Sequence, residues 1–116
     1  MKVFITGATG FVGRALVSEL ISSDVKIEAT VRNITAELPE SIRQIVCDDL
    51  SQLSEANSLI DILSDVDVVI HIAARAHVMK DTTSDPLSDY RKMNVTATGE
   101  IARQAAEAGV KRFIFV

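Results

Sequence analysis

Residues 6–13 read Thr6-Gly7-Ala8-Thr9-Gly10-Phe11-Val12-Gly13, with a glycine at every third position, and this stretch decides the fold. Before it, residues 2–6 are β-branched and aromatic, and read as a strand that Gly7 stops. After it, residues 11–22 carry Val12, Leu16 and Leu20 at intervals of four, with Arg14, Ser18 and Glu19 between them. That spacing predicts a helix with one buried stripe. A glycine run alone is weak evidence of any ligand. Between a strand and a helix, at the head of a β-α-β unit, it has the setting of a dinucleotide loop. Gly7 permits the tight turn, Gly10 leaves backbone N–H groups open to a pyrophosphate, and Gly13 lets the helix pack closely on the strand. Unpaired N–H groups near Gly10, Phe11 and Val12 then face the anion, aided by the helix dipole. Candidate phosphate-binding residues are Gly7, Thr9, Gly10, Phe11, Val12 and Gly13. The competing reading is a tight turn that binds nothing.

Outward from the loop, strand-like and helix-like stretches alternate. Residues 25–31 set Val25, Ile27, Ala29 and Val31 against Lys26, Glu28 and Thr30, a strand less buried on one face. Residues 33–43 hold Pro39 and scattered charge, and form a loop with room for one helical turn. Residues 44–47 are a short strand, and 48–63 a helix turning Leu53, Ala56, Leu59, Ile60 and Leu63 inward. Residues 67–74 are nearly continuously apolar, as parallel strands covered on both faces are. Residues 75–87 are polar and irregular. A helix over 85–108 accepts Pro86 in its first turn and ends at Gly109. Residues 111–116 form a last apolar strand. The predicted class is α/β: a Rossmann-type doubly wound parallel sheet, strand order 3-2-1-4-5, as one domain over residues 1–116.

Composition narrows the function. The 116 residues include 12 basic and 16 acidic ones, a net charge of −4, so no broad basic footprint for nucleic acid exists. Hydrophobic residues at 47% exclude a disordered chain. No apolar run approaches the ~20 residues that span a bilayer, and Gly7 interrupts the N-terminus too early for a secretion signal. No membrane partner is expected. The single Cys47 cannot close an internal disulfide, which makes the reducing cytoplasm the expected compartment. Cys47 reads as a buried apolar residue, and no His/Cys/carboxylate group has metal-ligand spacing.

A dinucleotide site of this class tests the ribose 2′ position at the end of the second strand. There the sequence reads Thr30-Val31-Arg32-Asn33. Arg32 offers a planar, permanently charged fork for a 2′-phosphate, which tilts the expected NAD(P) cofactor toward NADP. A solvated arginine at a strand end is the plainer alternative.

The stretch TGATGFVG near the N-terminus resembles the extended short-chain dehydrogenase/reductases, the NAD(P)-dependent epimerase/dehydratase group, and the likeness extends over essentially the whole chain. Residues 67–74, DVVIHIAA, are similar to that family's fourth strand with its His-x-Ala-Ala ending. Asn94-Val95-Thr96-Ala97-Thr98 resembles its Asn-Val-x-Gly-Thr helix motif, with Ala97 in place of glycine. The resemblance implies that Asp49 accepts from the adenine amino group while Leu50 packs on the ring. It implies that Ala73 and Ala74 lie close to the ribose and nicotinamide, and that Asn94 ties its helix to the fourth strand. Asp49 also suits a helix cap. Residues 71–86 are closest to bacterial enzymes that epimerise or reduce a 4-keto-hexose, so a nucleotide sugar is the implied substrate.

The family's chemistry uses a Tyr-x-x-x-Lys pair. The one tyrosine is Tyr90, followed four positions on by Asn94, so no catalytic residue is assigned in this chain. His71 and His77 are read as structural and as loop residues. The expectation is therefore the N-terminal cofactor-binding portion of a longer enzyme, inactive alone. A stand-alone NAD(P)-binding sensor and a non-catalytic interaction protein are the rivals. Residues 113–116 would form an exposed edge, which leaves a homo-oligomer open.

Overall fold

Strand β1 (Lys2–Thr6) sends Val3 and Ile5 to one side of the sheet and Phe4 to the other, and all three are buried. That requires cover on both faces. The computed structural model describes residues 1–47, 50–55, 57–72 and 95–116. After β1 come α1 (Phe11–Ile21), β2 (Lys26–Val31), β3 (Arg43–Val46), a 3₁₀ turn (Leu50–Gln52) and α2 (Ile60–Leu63). Then follow β4 (Val68–His71), α3 (Ala97–Ala108) and β5 (Arg112–Phe115). The five strands form one sheet in the order β3-β2-β1-β4-β5, every pairing parallel, as the sequence predicts.

Helix α1 covers one face, where Val3, Ile5, Val17, Ile27, Ala29 and Ile70 form a core that also takes Leu38 and Ile42 from the loop after β2. On the other face Phe4, Val69, Leu53, Leu59, Leu63 and Ile101 form a second core under α2 and α3. Helix α3 stops at Gly109, which takes φ 88° while the Val110 N–H reaches back to the Ala105 carbonyl at 3.0 Å.

Three expectations change. First, β2 is buried on both faces, since Glu28 and Thr30 are covered along with Ile27, Ala29 and Val31. Glu28 tolerates this because Arg43 donates to its Oε2 at 2.8 Å and the Lys2 ammonium stands 3.7 Å from its Oε1. Second, α1 buries Gly13 and Val17, with Leu16 and Leu20 only partly covered, and Val12 is 49% exposed. Gly13 lies against the loop backbone at Gly7 and Ala8, which brings its side of the helix inward. Third, residues 48–63 are not one helix: the 3₁₀ turn and α2 flank a turn in which Ser54 and Asn57 exchange backbone hydrogen bonds at 3.1 and 3.2 Å. The Ser58 hydroxyl accepts the Ile60 N–H at 3.0 Å, so side chains replace helical bonds there. Strand β3 has the expected length but starts one position earlier, at Arg43–Val46, and β4 is shorter than expected, at Val68–His71. Of the helix expected over 85–108, Ala97–Ala108 is described. Ala56 lies outside the described residues.

Candidate functional site

Because all strands are parallel, the carboxyl ends of β1, β2 and β4 lie along one rim, with Thr6 opposite His71. From β1 the chain crosses over to β2 on one side, while β4 lies on the other. This reversal opens a crevice at the strand ends, where open α/β sheets bind their ligands. The glycine loop occupies it.

Gly7 has φ 79°, a conformation that disfavours any side chain. A Cβ on Gly13 would fall 1.9 Å from the Gly7 carbonyl oxygen, so the helix can sit this close to the loop only with glycine there. Gly10 differs: it has φ −78°, and a Cβ would meet nothing nearer than the Gly7 oxygen at 3.5 Å. Among the described residues, no packing contact demands glycine at that position. The space above it suits an approaching ligand.

The Gly10 N–H is not among the free donors expected there, because it donates to the Gly7 carbonyl at 3.2 Å. The first helical bond runs from the Arg14 N–H to the Gly10 carbonyl at 2.9 Å. The N–H groups of Phe11, Val12 and Gly13 precede it and point out of the helix start. Gly10 is the N-cap without a capping side chain, and no acidic residue sits in the first turn, so the positive end of α1 is uncompensated. Phe11 is 93% exposed beside it, and Thr9 is exposed too.

Arg32 directly follows β2, is exposed, and among the described residues makes no ion pair. Leu50 opens the 3₁₀ turn with its side chain in the core beneath α2 and α3. Asp49, Ala73, Ala74 and Asn94, together with His77 and Tyr90, lie outside the described residues. The structure thus brings the loop residues and Arg32 to one rim.

Two arrangements were not legible in the sequence. Arg14 donates through Nε to the Thr9 carbonyl at 2.8 Å and pairs with Glu37 at 2.6 Å, bracing the loop against the segment after β2. Its partners are 5 and 23 residues away, outside any helical spacing. The second is a buried hydrogen-bonded chain, in which Thr6 Oγ1 lies 2.6 Å from His71 Nδ1, and His71 Nε2 lies 2.9 Å from Thr98 Oγ1. Burial pushes the His71 imidazole below its ordinary pKa, which favours the neutral ring. Its position on a predicted strand was the one available signal.

A strand-turn-helix glycine loop in a parallel 3-2-1-4-5 sheet has a recognisable kinship. The family model of the NAD dependent epimerase/dehydratase family matches residues 3–116. The chain belongs to that family. It is 39% identical to UDP-glucose 4-epimerase of Vibrio cholerae over 121 residues, covering 99% of this chain and 34% of that protein. It is 31% identical to a decarboxylating sterol-4-alpha-carboxylate 3-dehydrogenase of Dictyostelium discoideum, covering 99% of this chain and 34% of that protein. Among solved structures, MoeE5 in complex with UDP-glucose and NAD superposes with a TM-score of 0.78 at 32% identity, over 99% of this chain and 36% of that one. The chain therefore spans about a third of the length of the curated relatives it matches. Among the described residues no helix is long and apolar enough to cross a membrane, and no cluster of metal-ligating side chains occurs.

Proposed function

We propose that residues 1–116 are the NAD(P)-binding domain of an enzyme that epimerises, dehydrates or reduces a nucleotide sugar. The observation that carries this is Gly10, a glycine that no packing contact among the described residues requires, at an uncompensated helix start above the crevice. The outward N–H groups of Phe11, Val12 and Gly13 would bind the pyrophosphate, with Gly7 shaping the turn and Thr9 at its rim. Arg32 would take the 2′ side of the adenosine ribose and Asp49 the adenine amino group, beside Leu50. Ala73, Ala74 and Asn94 would line the nicotinamide side. When bound, the dinucleotide supplies hydride transfer; this chain's residues bind and orient it. The likeness to UDP-glucose 4-epimerase and to MoeE5 with its UDP-glucose supports a nucleotide-sugar substrate.

The proton-transfer pair of the family is absent from this chain, whose one tyrosine is followed by Asn94 where lysine would be needed. We place those groups, and most of the sugar pocket, outside these residues, in keeping with the share of each relative that the chain covers. The protein is then cytoplasmic, and this portion binds cofactor without turnover.

Titration of the nicotinamide fluorescence of NADPH and NADH tests the reading. Both cofactors bind, NADPH the more tightly. Arg32→Asp weakens NADPH by a charge-assisted hydrogen bond's worth, about 1.5–3 kcal/mol, and leaves NADH nearly unchanged. Equal losses for the two cofactors would remove Arg32 from the 2′ site.

A further inference from the structure

The His71 imidazole is fully buried, and each of its nitrogens faces a threonine hydroxyl from a different element. Thr6 Oγ1 already accepts the Ile72 N–H at 3.1 Å, while lying 2.6 Å from His71 Nδ1. The Ile72 N–H is shared between Thr6 Oγ1 and the Thr6 carbonyl at 3.2 Å, and in either neutral tautomer one ring nitrogen donates to one threonine hydroxyl while the other accepts from the second. The Phe113 and Phe115 rings, with centroids 6.2 and 5.9 Å from the imidazole, supply apolar surroundings in which such bonds are strong.

The chain's ends matter more than its middle. Thr6 immediately precedes Gly7, so its side chain fixes where the glycine loop departs from β1. Ile72 immediately precedes Ala73, and Thr98 follows Asn94 by four positions in the sequence. All three segments are those assigned to the cofactor, and one ring joins them.

We infer that His71 is a positioning residue: its neutral imidazole, bonded at both nitrogens, holds the glycine loop, the end of β4 and the first turn of α3 in mutual register for a dinucleotide. The inference rests on the cofactor-binding reading. Its distinguishing consequence is that a change at Thr98, which bonds the ring's far nitrogen, reaches the glycine loop through His71.

The test measures, in this chain, the ¹⁵N signature of the His71 ring, amide hydrogen exchange of residues 7–13, and affinity for NADH and NADPH. His71→Phe keeps the ring's bulk beside Phe113 and Phe115 but makes neither bond. It speeds loop exchange and weakens both cofactors about tenfold, the worth of one buried hydrogen bond. His71→Gln, able to accept and donate, recovers part of the loss. Thr98→Val speeds loop exchange in the same direction, and carries the test should His71→Phe not fold. A ring protonated on both nitrogens overturns the inference, as does Thr98→Val or a folded His71→Phe with wild-type loop exchange. Wild-type protein that binds neither cofactor overturns the proposed function instead, and ring signature and loop exchange then decide the positioning role by themselves.

Discussion

Gly10 and Gly13 are three positions apart in one loop, and glycine is needed at each for a different reason. At Gly13 the demand comes from the protein, because a methyl group would overlap the Gly7 carbonyl and force the helix off the strand. Gly13→Ala should lower stability by about 3 kcal/mol, the upper end of overpacking costs. At Gly10, on the proposed function, the demand comes from the ligand. Gly10→Ala should alter stability by less than about 0.5 kcal/mol, while reducing dinucleotide affinity at least tenfold by standing between the pyrophosphate and the N–H groups. Urea unfolding midpoints and cofactor titrations of both variants separate the two demands. Unchanged affinity in Gly10→Ala would take the loop out of the site. Spacing made all three glycines legible because the motif is local in sequence. The internal use of the Gly10 N–H was not legible, since it depends on the turn's closed geometry. The threonine–histidine chain was hidden for a related reason: its partners lie 65 and 27 residues apart.

At the level of elements, apolar spacing located inward residues better than it located helices. Leu53, Leu59 and Leu63 do face the core, yet none of the described backbone between 52 and 60 is helical. Serines and an asparagine compete for its hydrogen bonds, and a residue far along the chain completes the work. Gln104, fully buried on α3, accepts the Leu59 N–H at 2.7 Å and donates to Glu100 at 3.1 Å. A fixed partner on another element outweighs the modest helix propensity of that stretch. Strand β2 misled in the same way, because the alternation of Glu28 and Thr30 suggests an open face. The charges that allow Glu28 to be buried come from neighbouring strands. Gln104→Leu preserves bulk but orphans the Leu59 N–H, so it should cost about 1–3 kcal/mol. Its amide exchange should rise first at residues 54–59. A variant as stable as the parent, with that turn equally protected, would show that the glutamine clamp contributes nothing.

At the scale of the whole molecule, strand order followed from chain order, since right-handed crossovers leave few ways to stack these units. What the order also creates is two edges. The β3 edge begins at Arg43 and is tied to the preceding loop, where Gln44 holds the Thr35 backbone through two hydrogen bonds at 2.8 and 2.7 Å. The β5 edge is barer. After Arg112 it runs Phe113, Ile114, Phe115, and both Ile114 and Phe115 are exposed. An apolar edge with unpaired backbone groups is a template for another strand. A net charge of −4 is small opposition to close approach. This chain should therefore associate with itself as concentration rises, through β5 and not β3. Light scattering across a dilution series measures it, with Ile114→Lys as the probe. Ile114 pairs in register with Ile70, on the face opposite His71, so the charge blunts the edge without touching the histidine chain. Association should fall sharply in Ile114→Lys and persist when Val46, exposed on the β3 edge, becomes lysine. The reverse pattern would place the contact on β3, and a monomer at all concentrations would show that β5 is already protected.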